Sequence, residues 1–234
     1  MGRTVLVTGG NRGIGLAIAR AFADAGDTAV VTHRGGEPPD GLAGVRCDVT
    51  DTGQVDRAFA EVEERFGPVE VLVANAGVTK DQLLLRMSED DFASVVDTNL
   101  TGTYRVTKRA LRGMIRARHG RIVLVSSVVA LLGSPGQSNY AASKAGLVGF
   151  ARSLVRELGP RDITVNVVAP GYVETAMTAD LPAERQAHYK QQIPLGRYAS
   201  TGEVAAVVRW LTSDDAAYVT GAVLPVDGGL GMGH

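Results

Sequence analysis

Residues Val5-Leu6-Val7-Thr8-Gly9-Gly10-Asn11-Arg12-Gly13-Ile14-Gly15-Leu16-Ala17-Ile18-Ala19-Arg20-Ala21-Phe22 decide the fold. A short β-branched run leads through a glycine-rich turn into an apolar stretch of helical period, which is a strand feeding a helix. The same alternation continues to the far end of the chain. Further strand candidates are Thr28-Ala29-Val30-Val31-Thr32, Val71-Leu72-Val73-Ala74, Ile122-Val123-Leu124-Val125, Ile163 to Val168 and Ala222-Val223-Leu224, with a weaker run over Gly44 to Asp48. Nearly continuous apolarity means strands covered on both faces, as in a parallel sheet. Helix candidates lie between them at Gly15 to Ala25, Gly53 to Phe66, Asp91 to Arg118, Asn139 to Leu158 and Thr201 to Leu211; the third is long enough for one bent helix or two. Right-handed crossovers then give an α/β, doubly wound parallel sheet in a single domain over residues 1–234. The stretch from Pro170 to about Thr201 lacks a strand pattern, and in such a fold that is where a lid over a site is expected.

Composition narrows the classes of function. Hydrophobic residues make up 45% and charged residues 21% of the 234, far from the composition of a disordered chain. A formal charge of −1 gives bulk electrostatics no pull on nucleic acid or anionic lipid. Cys47 is the single cysteine, which excludes an intrachain disulfide and fits a reducing compartment. No apolar run approaches the ~20 residues that span a bilayer. The expected setting is cytoplasmic, with neither nucleic acid nor membrane as a partner.

The glycine loop carries the first chemistry. At a helix N-terminus the backbone N–H groups are unsatisfied and the helix dipole favours an anion, so strand, loop and helix together form a pyrophosphate site. Gly9, Asn11, Arg12, Gly13, Ile14 and Gly15 are its candidates, in G-x-x-x-G-x-G spacing. Where NAD sites place an acid to bind the ribose 2′-hydroxyl, this chain has His33 and Arg34. A carboxylate would repel a 2′-phosphate, whereas Arg34, with Arg12 on the other side, can pair with one. NADPH is the expected cofactor.

Tyr140 and Lys144 stand four residues apart on one face of a helix. A phenol near pKa 10 is a weak acid at neutrality, and a nearby ammonium is expected to lower that value. Ser127 follows a strand end that faces the ligand crevice of a doubly wound sheet. The four histidines show no metal spacing, and hydride transfer from a nicotinamide needs no metal. Cys47 is expected in the core, and Trp210 with the apolar positions of Thr201 to Leu211 is expected to serve packing rather than binding; Met177, Leu181 and Ile193 line an acyl pocket or only close it.

With these motifs the chain resembles a short-chain dehydrogenase/reductase over essentially its whole length, through Thr8 to Gly15, Asn75-Ala76-Gly77, Asn99, Ser127, Tyr140 with Lys144, and Pro170-Gly171 with Thr175. The resemblance implies a Rossmann-type sheet ordered 3-2-1-4-5-6-7 and hydride transfer at nicotinamide C4. It implies Asn75, Ala76 and Gly77 against the cofactor ribose, Asp48 and Val49 beside the adenine, and Pro170, Gly171, Val173 and Thr175 around the carboxamide. Asn99, Ser127, Tyr140 and Lys144 are then the catalytic set, with Asn99 holding a water that relays protons through Lys144.

A finer resemblance is to bacterial 3-oxoacyl-[acyl-carrier-protein] reductases, the mycobacterial type included. It rests on Ala141 to Gly146, Asn166 to Thr178 and the C-terminal Val226 to His234. It implies a β-keto thioester substrate on acyl carrier protein and a homotetramer joined through Asp91 to Arg118, Asn139 to Leu158 and the C-terminal strand. Arg112, Arg116, Arg118, His119 and Arg121 form a candidate basic patch for the acidic carrier. Reductases of polyketides, acyl-CoA, quinones or other small carbonyls share these segments, and a non-catalytic NADP-sensing module is the alternative of another class. Retention of Tyr140, Lys144, Ser127 and Asn99 together speaks against the sensor.

Overall fold

The computed structural model describes residues 2–175 and 183–232. Seven strands form one parallel sheet: β1 (Thr4–Val7), β2 (Thr28–His33), β3 (Ala43–Arg46), β4 (Val71–Ala74), β5 (Gly120–Val125), β6 (Ile163–Pro170) and β7 (Val223–Val226). Their order is β3-β2-β1-β4-β5-β6-β7, as expected. The chain reverses its direction of winding between β1 and β4, and in such a sheet the ligand crevice opens beyond the strand C-termini at that switch.

The alternation of side chains along each strand splits the apolar residues into two cores. Leu6, Val30, Leu72, Ile122 and Val165 face helices α2 (Thr52–Phe66), α4 (Gly102–Ala117) and α6 (Ser138–Leu158), meeting Phe59, Met114 and Leu147. Val5, Val7, Val31, Val73 and Val125 face α1 (Gly13–Asp24) and α8 (Thr201–Leu211), meeting Ile18, Phe22, Val204 and Val208. The other α-helices among the described residues are α3 (Glu89–Val96), the short α5 (Val129–Leu132) and α7 (Ala183–Gln192).

Local chemistry starts these helices. Asp51 caps α2 by accepting from Gln54 N at 3.0 Å, and Ser200 with Glu203 makes a reciprocal capping box on α8. Helix α1 opens at Gly13, two residues earlier than the apolar pattern implies, because the turn itself supplies the first helical residues.

The stretch Asp91 to Arg118 resolves as α3 and α4 joined by a π-helical turn, Asp97–Thr101. Such turns carry an extra residue and bend the helix where it occurs. Beyond β6, Val173 bridges to Ala199 in parallel, so the segment after Pro170 begins with a strand-like tie. Met177 and Leu181 lie outside the described residues, and Ile193 is buried. Cys47 is buried as expected. Trp210 is 43% exposed, because the apolar stripe of α8 runs through Val204, Ala205, Val208 and Leu211 and leaves Trp210 off that face. Among the described residues no helix is long and apolar enough to cross a membrane.

Candidate active site

The strand C-termini bring the sequence motifs to one edge of the sheet. Gly9 and Gly13 take the left-handed backbone at φ 62° and 55°, which a side chain would strain. Thr32 Oγ1 at the end of β2 accepts from Gly9 N at 3.1 Å, and Thr8 Oγ1 accepts from the N–H groups of Asn75 and Ala76, both at 3.0 Å. The Asn75 amide returns two bonds, to Thr8 O at 3.0 Å and Gly9 O at 3.2 Å. The loop after β1 is thus laced to the loop after β4. No side chain caps α1, whose N-cap is Arg12, so the N–H groups of its first turn stay available to an anion.

Arg12 and Arg34 are both exposed. His33 ends β2, and Asp48 and buried Val49 follow β3 at the same edge. Asp48 Oδ1 accepts from Thr50 N at 2.9 Å, which shapes that turn. On the other side of the switch, Pro170 ends β6 in register with Val226, and Gly171 N donates to Val226 O at 3.0 Å, which holds both against the end of β7. A Cβ on Gly13 would lie 3.8 Å from Thr175 Cγ2, so the last of these residues reaches back to the glycine loop.

Asn99, Ser127, Tyr140 and Lys144 also converge. Lys144 is buried within α6 and its Nζ donates to Val125 O, the last carbonyl of β5, at 2.7 Å. Ser126 Oγ donates to Lys144 O at 2.9 Å, a second tie between the same strand end and helix. Lys144 Nζ stands 5.8 Å from the centre of the Tyr140 ring. The Asn99 amide has both donors engaged: Nδ2 donates to Val78 O and Ser143 Oγ, both at 3.0 Å, while Oδ1 accepts from Val78 N at 2.8 Å. The Asn99 main-chain carbonyl, within the π-helical turn, accepts from Thr103 Oγ1 at 2.8 Å. Gly77 lies close beside them: a Cβ there would stand 3.2 Å from Asn99 Oδ1 and 3.3 Å from Lys144 Nζ, so both would have to give way by a few tenths of an ångström.

The electrostatics correct one expectation. Burial pushes the Lys144 ammonium down to about 8. Burial raises the Tyr140 phenol above its ordinary value, the Ser127 hydroxyl in hydrogen-bond contact pulls it down, and Asp81 adds a smaller upward push. In the protein without ligand it is thus Ser127, rather than the ammonium, that favours the phenolate. The cation lies against the ring and spends a hydrogen bond on a backbone carbonyl.

A family profile described as Enoyl-(Acyl carrier protein) reductase matches residues 9–231. The chain is 56% identical to the 3-oxoacyl-[acyl-carrier-protein] reductase MabA of Mycobacterium avium, over 99% of this chain and 91% of that one. It is also 56% identical to MabA of Mycobacterium tuberculosis, with 99% and 94% covered. Against FabG of Escherichia coli, likewise a 3-oxoacyl-[acyl-carrier-protein] reductase, identity is 42% over 99% and 98% of the two chains. The chain belongs to the short-chain dehydrogenase/reductase family.

Several members of this short-chain reductase's site escape motif reading. Asn139, wholly buried, donates to Lys80 O at 3.0 Å and Asp91 O at 3.3 Å and accepts from Tyr140 N at 2.8 Å, which fixes the start of α6. Ser143 holds the Asn99 amide, and Thr8 and Thr32 hold the glycine loop. Thr8 and Ser143 lie within the motifs already quoted, but nothing in the spacing assigns them or Asn139 and Thr32 these supporting bonds.

The expected basic patch is smaller than its composition suggests. Arg121 is buried and donates to Gly120 O at 3.0 Å and Asp162 O at 2.9 Å, and the Asp162 carboxylate holds His119 at 2.9 Å. Arg112 faces Asp56 at 3.6 Å. Arg116 and Arg118 remain exposed, at the edge opposite the crevice.

Proposed function

We propose that this chain is a cytoplasmic, homotetrameric 3-oxoacyl-[acyl-carrier-protein] reductase of fatty acid synthesis, using NADPH to reduce a 3-oxoacyl thioester to the 3-hydroxyacyl thioester. The observation that carries the reading is the Ser127–Tyr140 hydroxyl pair beside buried Lys144, at the sheet edge that also presents an uncapped, glycine-lined helix N-terminus. That N-terminus and its left-handed glycines fit the pyrophosphate of a nicotinamide dinucleotide. Arg12 and Arg34, with no acid at the end of β2, fit a 2′-phosphate.

When bound, the reduced nicotinamide supplies the hydride that reaches C3 of the keto thioester. Ser127 and Tyr140 donate hydrogen bonds to the ketone oxygen as charge develops there, and Tyr140 gives up its proton. Lys144 holds the ribose and replenishes that proton through a water at Asn99. Asn75, Ala76 and Gly77 line the ribose, Asp48 and Val49 the adenine, and Pro170, Gly171, Val173 and Thr175 the carboxamide. Reduction of a carbonyl ends with a proton on the oxygen these hydroxyls bind, whereas reduction of a carbon–carbon double bond ends with it on carbon. The hydroxyl pair therefore favours the 3-oxoacyl reaction named for the relatives over the enoyl reaction of the family description.

The test is NADPH oxidation against an acetoacetyl thioester, a quinone and a sugar ketone. Turnover of the thioester well above the others supports the reading. Preference for the quinone or the sugar overturns the substrate, and activity with none of the three favours the sensor.

A further inference from the structure

We infer, on the reading that the cofactor is NADPH, that Arg46 is a third guanidinium on its 2′-phosphate and so a determinant of cofactor choice. Strands β2 and β3 run parallel with His33 and Arg46 as register partners, and Cys47 N donates to His33 O at 2.9 Å. Arg46 is therefore held level with the residue before Arg34, at the crevice edge of the sheet. Its Nε donates to Arg34 O at 3.2 Å, which spends one donor and leaves both Nη groups uncommitted. Arg34 and Arg46 are both exposed, and neither stands within ion-pair distance of a carboxylate among the described residues.

Arg34 and Arg46 thus place two guanidiniums at neighbouring strand ends with no acid paired to either, and a doubly charged phosphate there would be attracted by both. The single bond to Arg34 O gives a structural reason for an arginine here, but it does not need the four remaining N–H donors. The turn between the strands packs its Pro38 against Gly44, where a Cβ would lie 2.4 Å from Pro38 Cβ. The turn is thereby folded back along β3, beside the two arginines.

Calorimetric binding of 2′,5′-ADP and 5′-AMP to the whole enzyme separates the phosphate from the rest of the nucleotide. Melting temperatures of Arg46→Gln and Arg46→Lys, expected close to that of the unmodified enzyme, check that both variants fold. Arg46→Gln is expected to weaken 2′,5′-ADP about tenfold, to leave 5′-AMP within about twofold and to raise the KM for NADPH at unchanged kcat. Arg46→Lys should keep most of the 2′,5′-ADP affinity. Unchanged 2′,5′-ADP binding in Arg46→Gln overturns the assignment, as does equal weakening of both nucleotides. A lysine variant as weak as the glutamine one also overturns it, since only the bond to Arg34 O would then matter. If the unmodified enzyme binds both nucleotides equally, the NADPH reading itself fails, whatever Arg46 does.

Discussion

Lys144 pays a cost in stability for its position. One pKa unit is worth about 1.4 kcal/mol, and the shift from 10.5 to about 8 comes from burial. The folded protein therefore releases this proton more readily than the unfolded chain. Below pH 8 the penalty is felt in full, and it fades as pH rises from 8 towards 10.5. Lys144→Met should accordingly be more stable near pH 7, on the order of 2 kcal/mol after loss of the Val125 hydrogen bond. Paired thermal melts should show the gap closing with rising pH, and a constant gap would count against burial as its source. Tyr140→Phe should leave NADPH binding intact while turnover falls ~10²–10⁴-fold, checked by fluorescence titration beside steady-state rates. Arg34→Asp should move kcat/KM towards NADH, and equal kcat/KM for the two cofactors in the unmodified protein would deny the preference altogether. At this scale residue types and spacing named Tyr140, Lys144 and Ser127, because a helix repeat and a strand end suffice to bring them near one another. The direction of the phenol's shift was not legible, since it depends on how deeply neighbouring chains cover each group.

At the scale of elements the lacing of the first and fourth strand loops sets the tolerance of the glycine turn. A Cβ at Gly15 would come within 2.5 Å of Asn75 Nδ2 and 2.6 Å of Gly9 O. Gly15→Ala should therefore displace the Asn75 amide from its two carbonyls and weaken NADPH at least tenfold, with a smaller loss of melting temperature; nucleotide titration against a melting curve checks this. The strands and most helices were legible within two or three residues, since a buried parallel sheet writes itself as continuous apolar runs. The π-helical turn at Asp97–Thr101 was not, because one inserted residue leaves the apolar period almost unchanged over so short a span. Arg121 misled for a related reason: its charge reads as surface, but the Asp162 carbonyl and carboxylate that hold it lie some forty residues away in sequence.

For the molecule as a whole, Phe92, Tyr104 and Ile115 expose apolar area along α3 and α4, and Tyr104 meets Phe150 of α6 edge to face with ring centres 6.4 Å apart. A homotetramer joined through this side should bury them. Light scattering at micromolar concentration should give four times the chain mass, and a monomer mass would refute the assembly. The assembly was legible only through resemblance, since a single chain's pattern shows what is apolar but not what covers it. The strand order carries a last consequence for how the chain is made. No two consecutive strands can pair as a hairpin, and Val5 must wait for Val71 to emerge before one edge of β1 is closed. Nascent chains that leave the ribosome with β1 to β3 alone carry an open edge along Thr4–Val7, three of whose four residues are apolar. Pauses in translation before residue 71 should therefore favour aggregation and chaperone capture over folding.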